Sequence, residues 1–124
     1  MPGAALGRSG AVRWGRQVRL RRGCDNDPVH AAAVRFDLHV PASRSLKSKR
    51  AAIRPVVDGI RHRFKISVAE VDHQDQWQRC AIGVALVDGS AAHLEEVLAS
   101  VERFVAAAPD VELLDTETAW LETE

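Results

Sequence analysis

The run Arg44-Ser45-Leu46-Lys47-Ser48-Lys49-Arg50 holds four cations and no acid, and Arg54 follows four residues later. Ser45 is a good helix N-cap, which places Lys47, Lys49 and Arg50 in the first turn of a helix. A helix N-terminus carries partial positive charge, so each cation there is disfavoured by about 0.3–1 kcal/mol. That cost makes sense if an external anion docks, as phosphates do on helix N-termini. Arg44, Lys47, Lys49, Arg50 and Arg54 therefore form a candidate nucleic-acid surface; the alternative is a solvated basic face. By contrast, Arg61, His62 and Arg63 fall near the end of the same helix, where cations are favoured and need no function.

A second constellation is Asp72-His73-Gln74-Asp75, with Trp77 and Arg79 behind it. A histidine between carboxylates is a metal or acid/base motif in principle, with Glu70 as a further ligand. No ligand spacing as specific as HxxxH accompanies it, so we read it as a partner-contact loop anchored by Trp77. No catalytic residue, metal site or cofactor is assigned, because neither a Ser-His-Asp set, a phosphate-binding glycine loop nor a Cys–His pair is present. The third group is Ala81, Gly83, Ala85 and Val87, alternate positions of one strand. Such a small apolar row suits packing against another sheet and marks a candidate homodimer face.

The elements that position these groups follow from periodicity. Ala32, Val34, Phe36, Leu38 and Val40 alternate with polar neighbours, a strand with one buried face that Pro41 ends. Leu46, Ile53, Val57, Ile60 and Phe64 recur as one face of an amphipathic helix over 46–64. Pro55 is expected to kink it or divide it into 46–54 and 55–64. Ile66–Val71 and Cys80–Val87 are β-branched arms around the polar loop, a hairpin. Leu94, Val97, Leu98, Val101, Phe104 and Val105 give a second helix, stopped by Pro109. Val111–Leu121 is a last strand, with Asp115 and Glu117 pointing one way and Leu114 and Trp120 the other. The order β-α-β-β-α-β predicts an α+β, ferredoxin-like fold: four antiparallel strands with both helices on one face.

The chain has 124 residues, enough for one core, and 17 cations balance 17 acids. The balance is uneven: the net charge is +4 over 1–28, +7 over 44–65 and −11 over 66–124. Such asymmetry bears on binding and steering. Residues 1–28 are rich in Arg and Gly and lack an apolar period, so they are expected to be a disordered basic leader. Trp14 would be available there to stack on a base, although Val29 is a plausible true start. Two cysteines, Cys24 and Cys80, make no disulfide framework and fit a reduced, cytoplasmic setting; no run is apolar enough to span a membrane.

Phe36-Asp37-Leu38-His39-Val40-Pro41, then Ser45-Leu46-Lys47-Ser48-Lys49-Arg50, Val68-Ala69-Glu70-Val71-Asp72-His73-Gln74-Asp75 and Trp77-Gln78-Arg79, resemble the YlxP-like family of small bacterial proteins of unassigned function. The resemblance spans about residues 29–121 and implies the same ferredoxin-like fold. Family genes commonly neighbour those of a ribosome-binding factor and a translation initiation factor, which implies a role near the ribosome or RNA by association alone. Residues 1–28 have no counterpart in it. The reading is of a non-enzymatic RNA- or ribosome-associated binding protein. The alternative is a homodimeric scaffold or small-ligand sensor packed through its sheet.

Overall fold

The computed structural model describes residues 29–121; the leader 1–28 lies outside them. Six regular elements follow one another: β1 His30–His39, α1 Leu46–Gly59, β2 Ser67–Asp72, β3 Arg79–Asp88, α2 Ala91–Ala106 and β4 Glu112–Leu121. A π-helical turn, Ile60–Phe64, continues α1. The sheet order is β2-β3-β1-β4 and each neighbouring pair is antiparallel. This is the ferredoxin-like β-α-β-β-α-β arrangement. No described helix is long and apolar enough to cross a membrane.

Alternation in β1 and β3 sorts side chains between two faces. Val34, Phe36, Leu38, Val40, Cys80, Ile82 and Val84 turn to the helices and meet Ile53, Val56, Ile60, Val101 and Val105 in one buried cluster. The opposite face, open to solvent or to a partner, presents Ala31, Ala33, Arg35, Asp37 and His39 beside Val87, Ala85, Gly83, Ala81 and Arg79.

Three expectations need correction. Pro55 does not divide α1, which runs unbroken to Gly59. Ile53 and Val56, both buried, hold the helix to the sheet on either side of the proline. The change of geometry comes instead at Ile60, and the helix ends at Lys65 in a left-handed conformation (φ 57°). Gly59 is required just before it, because a Cβ there would lie 2.3 Å from Phe104 Cζ of α2. The buried stripe of α1 is Lys49, Ile53, Val56 and Ile60, while Val57 is only partly buried. In β4, the pairing shifts between Asp37 and Leu38, so Leu38 faces Leu113 while Asp37 faces Asp115. Leu114 is the extra residue of this bulge and is 52% exposed, so Leu113 takes the core position assigned to it.

Candidate nucleic-acid interface

The first turn of α1 is built from serines. Ser45 Oγ accepts from Ser48 N at 3.0 Å, and Ser48 Oγ accepts from Ser45 N at 3.1 Å, a reciprocal capping box. Ser48 Oγ also accepts from Arg44 N at 3.0 Å. Serines thus already answer backbone amides that an external anion was expected to use. What remains for an anion is the side-chain charge.

Arg44, Lys47, Arg50 and Arg54 are exposed, and none makes an ion pair among the described residues. Lys47, Arg50 and Arg54 lie at steps of three and four, one stripe roughly 10 Å long on the helix. Arg50 and Arg54 join Arg61 along an open groove of about 380 Å³ between α1 and the edge strand β2. Asp58 and Glu70 share the lining, and Asp58 pairs with Arg61 at 3.4 Å. Arg61, set aside as a helix-end cation, therefore belongs to the basic surface.

Lys49 does not. Only 2% of it is exposed, and its ammonium donates to His73 O at 2.8 Å and Arg79 O at 3.2 Å. Glu70 Oε2 lies 3.0 Å away as its counter-ion. A buried ammonium needs a full set of acceptors, and these three supply it. Lys49 is a strut between α1 and the hairpin, unable to reach a solvent-side phosphate. The sequence did carry the signal: Lys49 stands on the apolar stripe with Ile53, Val56 and Ile60.

The partner-contact loop is tied down from several sides. Gln78 Nε2 donates to Pro41 O and Ser43 O, each at 3.2 Å, and Gln78 O accepts from Val40 N at 2.9 Å. His73 sits at φ 62°, which histidine tolerates better than most side chains. Its N–H donates to Asp72 Oδ1 at 2.7 Å, and Gln76 N donates to His73 O at 3.0 Å. Gln74, Asp75 and Trp77 are exposed. Arg79 is half-buried, and its Nε is enclosed without an acceptor among the described residues.

Below this loop the open sheet face carries a charged cluster that periodicity did not reveal. Arg35 donates to Asp37 at 3.0 and 3.2 Å and to Asp72 at 3.2 Å. The bond to Asp37 is the largest influence raising the Arg35 pKa, and the His73 N–H is the largest lowering that of Asp72. His73 Nε2 stands 3.8 Å from Asp37 Oδ1, and His39 Nδ1 is 3.0 Å from Glu112 Oε1. On the helix side, burial followed by the Glu70 charge pushes the Cys80 thiol up to about 12, so it stays protonated and a poor nucleophile. No group of three or more His, Cys, Asp or Glu suited to a metal occurs among the described residues.

The small apolar row is divided. Ala81, flanked in register by Asp37 and Asp72, is 0% exposed, and Val71 Cγ1 lies 3.0 Å from where a Cβ on Gly83 would stand. The chain itself covers Ala81 fully and Gly83 in part, so this end of the row offers little to a dimer face. Ala85 and Val87 remain exposed. They join Ala31, Ala33, Ala119 and Leu121 around an apolar hollow of about 370 Å³ at the other end of the sheet.

Residues 31–118 match the family model described as "Protein of unknown function (DUF503)". The chain is also similar to the "Uncharacterized protein YlxP" of Bacillus subtilis (strain 168), 36% identical over 76 residues, which is 61% of this chain and 83% of that protein. The family-model match takes in the capped basic helix, the hairpin and most of β4. The chain belongs to the DUF503 family, a family of proteins of unknown function.

Proposed function

We propose that this protein is a non-enzymatic RNA-binding module of the cytoplasm that acts near the ribosome. It holds phosphates on the basic face formed by Arg44, Lys47, Arg50 and Arg54, with Arg61 at the groove. The observation that carries this reading is that the first four are exposed and without ion pairs among the described residues, in a chain whose overall charge is zero. Exposed cations that no carboxylate pairs are free to meet a polyanion. The opposite sheet edge supports a defined orientation: the groove between α2 and β4 is lined by Glu95 and Glu102, which repel phosphate. The ribosome as partner rests on the gene association that the family resemblance implies.

The test is binding of a structured RNA at rising salt. Each neutralised phosphate contributes a slope of roughly −0.7 to −0.9 in log K against log salt. Four contacts give about −3, or about 60-fold weaker binding between roughly 50 and 200 mM salt. Changing Arg44, Lys47 and Arg50 together to Gln, with Lys49 untouched, should flatten the slope to about −1 without unfolding the protein. Absence of binding at the lower salt, or a variant indistinguishable from the parent, overturns the proposal.

A second reading has one observation in its favour, the exposed apolar hollow around Ala85 and Val87. It makes the protein a homodimer, or a small-ligand sensor, through that end of the sheet. Ala85→Glu would place a like charge on both sides of an isologous contact. Light scattering should then show a dimer for the parent and a monomer for the variant, and a monomeric parent removes the dimer.

A further inference from the structure

The phosphate-binding surface has an aromatic neighbour that its charge does not explain. Trp77 is 55% exposed, and no ring contact or hydrogen bond engages its indole among the described residues. Burying an indole elsewhere would stabilise the fold, so an exposed one on a well-held backbone is free for a partner. The backbone here is well held: Gln78, the next residue, is bonded to Pro41 O, Ser43 O and Val40 N. On the other side, the Lys49 ammonium grips the carbonyls of His73 and Arg79. A platform fixed before binding costs less ordering entropy on association.

Position decides what the platform faces. The Gln78–Ser43 hydrogen bond joins the residue after Trp77 to the residue before Arg44, so Trp77 lies at the N-terminal end of the basic stripe. No other large apolar side chain is exposed in segments 41–47 or 73–79, where a protein-binding tryptophan would be expected to have apolar company. Along the chain its charged neighbours are Asp75 and Arg79, with Asp72 at the start of the loop held by Arg35. Asp75 disfavours a phosphate at the loop itself, which leaves a neutral, flat group as the better fit.

Resting on the RNA reading above, we propose that Trp77 is a stacking platform for one unpaired base, so that the ligand is a paired RNA stem carrying a bulged or flanking unpaired nucleotide. The stem's phosphates lie on Lys47, Arg50 and Arg54, and the extruded base lies on the indole. Proteins that hold single strands stack successive bases on several aromatics, whereas Trp77 is the only exposed Phe, Tyr or Trp among the described residues. Trp120 is no second platform, since it lines the acidic groove with Glu95 and Glu102. One base on an aromatic and the rest of the affinity from backbone phosphates describes a stem with a single unpaired position.

Two RNA hairpins test this with the full chain: one fully paired, the other identical but with a single bulged 2-aminopurine. The bulged hairpin should bind roughly 5- to 150-fold tighter, the range expected for one stacked base, with its 2-aminopurine fluorescence quenched. Trp77→Ala should erase the preference and the quenching while leaving the fully paired hairpin bound as before. Trp77→Phe should retain most of both, and circular dichroism should match the parent for each variant. Equal binding of the two hairpins by the parent, or a preference that survives Trp77→Ala, overturns the inference and leaves the phosphate surface standing. Failure to bind either hairpin at low salt overturns both.

Discussion

The first β-α-β half, His30–Asp72, and the second, Arg79–Leu121, each lay a helix across the same sheet face, yet their outer surfaces are opposite in charge. In the first half, α1 and β2 bound a groove bearing Arg50, Arg54 and Arg61; in the second, α2 and β4 bound one bearing Glu95 and Glu102. The helices differ inside as well. The buried residues of α2 are Leu94, Val101 and Val105, all apolar, whereas α1 buries Lys49 beside Ile53 and Val56. What the halves share, strand alternation and an apolar helix stripe, is what the fold needs. Their outer charges are not needed by the fold, and the binding role proposed above would give that difference a reason, whereas the buried Lys49 ties α1 to the hairpin.

Lys49 is where the comparison can be broken most sharply. Replacing it with Met makes the α1 stripe apolar throughout, as in α2. If the two halves needed only apolar stripes, the change would be neutral or stabilising. The structure says otherwise, because Glu70, His73 O and Arg79 O would lose their shared donor. Removing one partner of a buried pair costs about 3–5 kcal/mol. For a domain of this size that is a fall of roughly 12 °C or more in Tm. Thermal unfolding of Lys49→Met measures it, and an unchanged Tm would mean that the carbonyls and Glu70 find water instead. Because Lys49 also holds the loop of Trp77, the variant should bind bulged RNA less well even where it stays folded.

The same contrast explains what could be read from sequence. Alternation over Ala32–Val40 and the apolar period of α2 are local signals, and both elements appear where those patterns place them. Ser45 as N-cap is equally local, since a capping hydroxyl needs only the residue three positions on. The basic surface was legible as charge, but its membership only in part, through the place of Lys49 on the apolar stripe. Whether Lys49 faces water depends on carbonyls 24 and 30 residues away in sequence. Arg35 meets Asp72 across 37 residues, so the cluster over Ala81 exists only once β1, β2 and β3 are side by side. The bulge that turns Leu114 outward belongs to a pairing register, and no single strand encodes it.

A smaller effect separates the entries to the two helices. Serines alone cap α1, while the approach to α2 adds an ion pair. Ser90 is the N-cap and its Oγ accepts from His93 N at 3.2 Å, while Asp88 accepts from Ser90 N at 2.9 Å and bonds the His93 imidazole. The Asp88 bond raises the His93 pKa, and the same bond is the chief influence lowering that of Asp88. The two signs define a window. A raised histidine contributes stability that is whole below its unfolded pKa of about 6.5 and is lost as pH climbs through the folded value. A lowered aspartate contributes stability that is whole above its unfolded pKa of about 3.9 and is lost as pH falls through the folded value. The pair should therefore help most between about pH 4 and 6.5. Asp88→Asn keeps an acceptor for Ser90 N but removes the charge, so its Tm should fall furthest below the parent's near pH 5.5 and converge with it at alkaline and strongly acid pH. His93 is exposed and Asp88 only half-buried, so solvent screens the pair and the difference should be small, a few degrees at most. A Tm difference that stays constant across the whole pH range would show that Asp88 acts only as a hydrogen-bonding cap, and the two helix entries would then differ in residue type but not in mechanism.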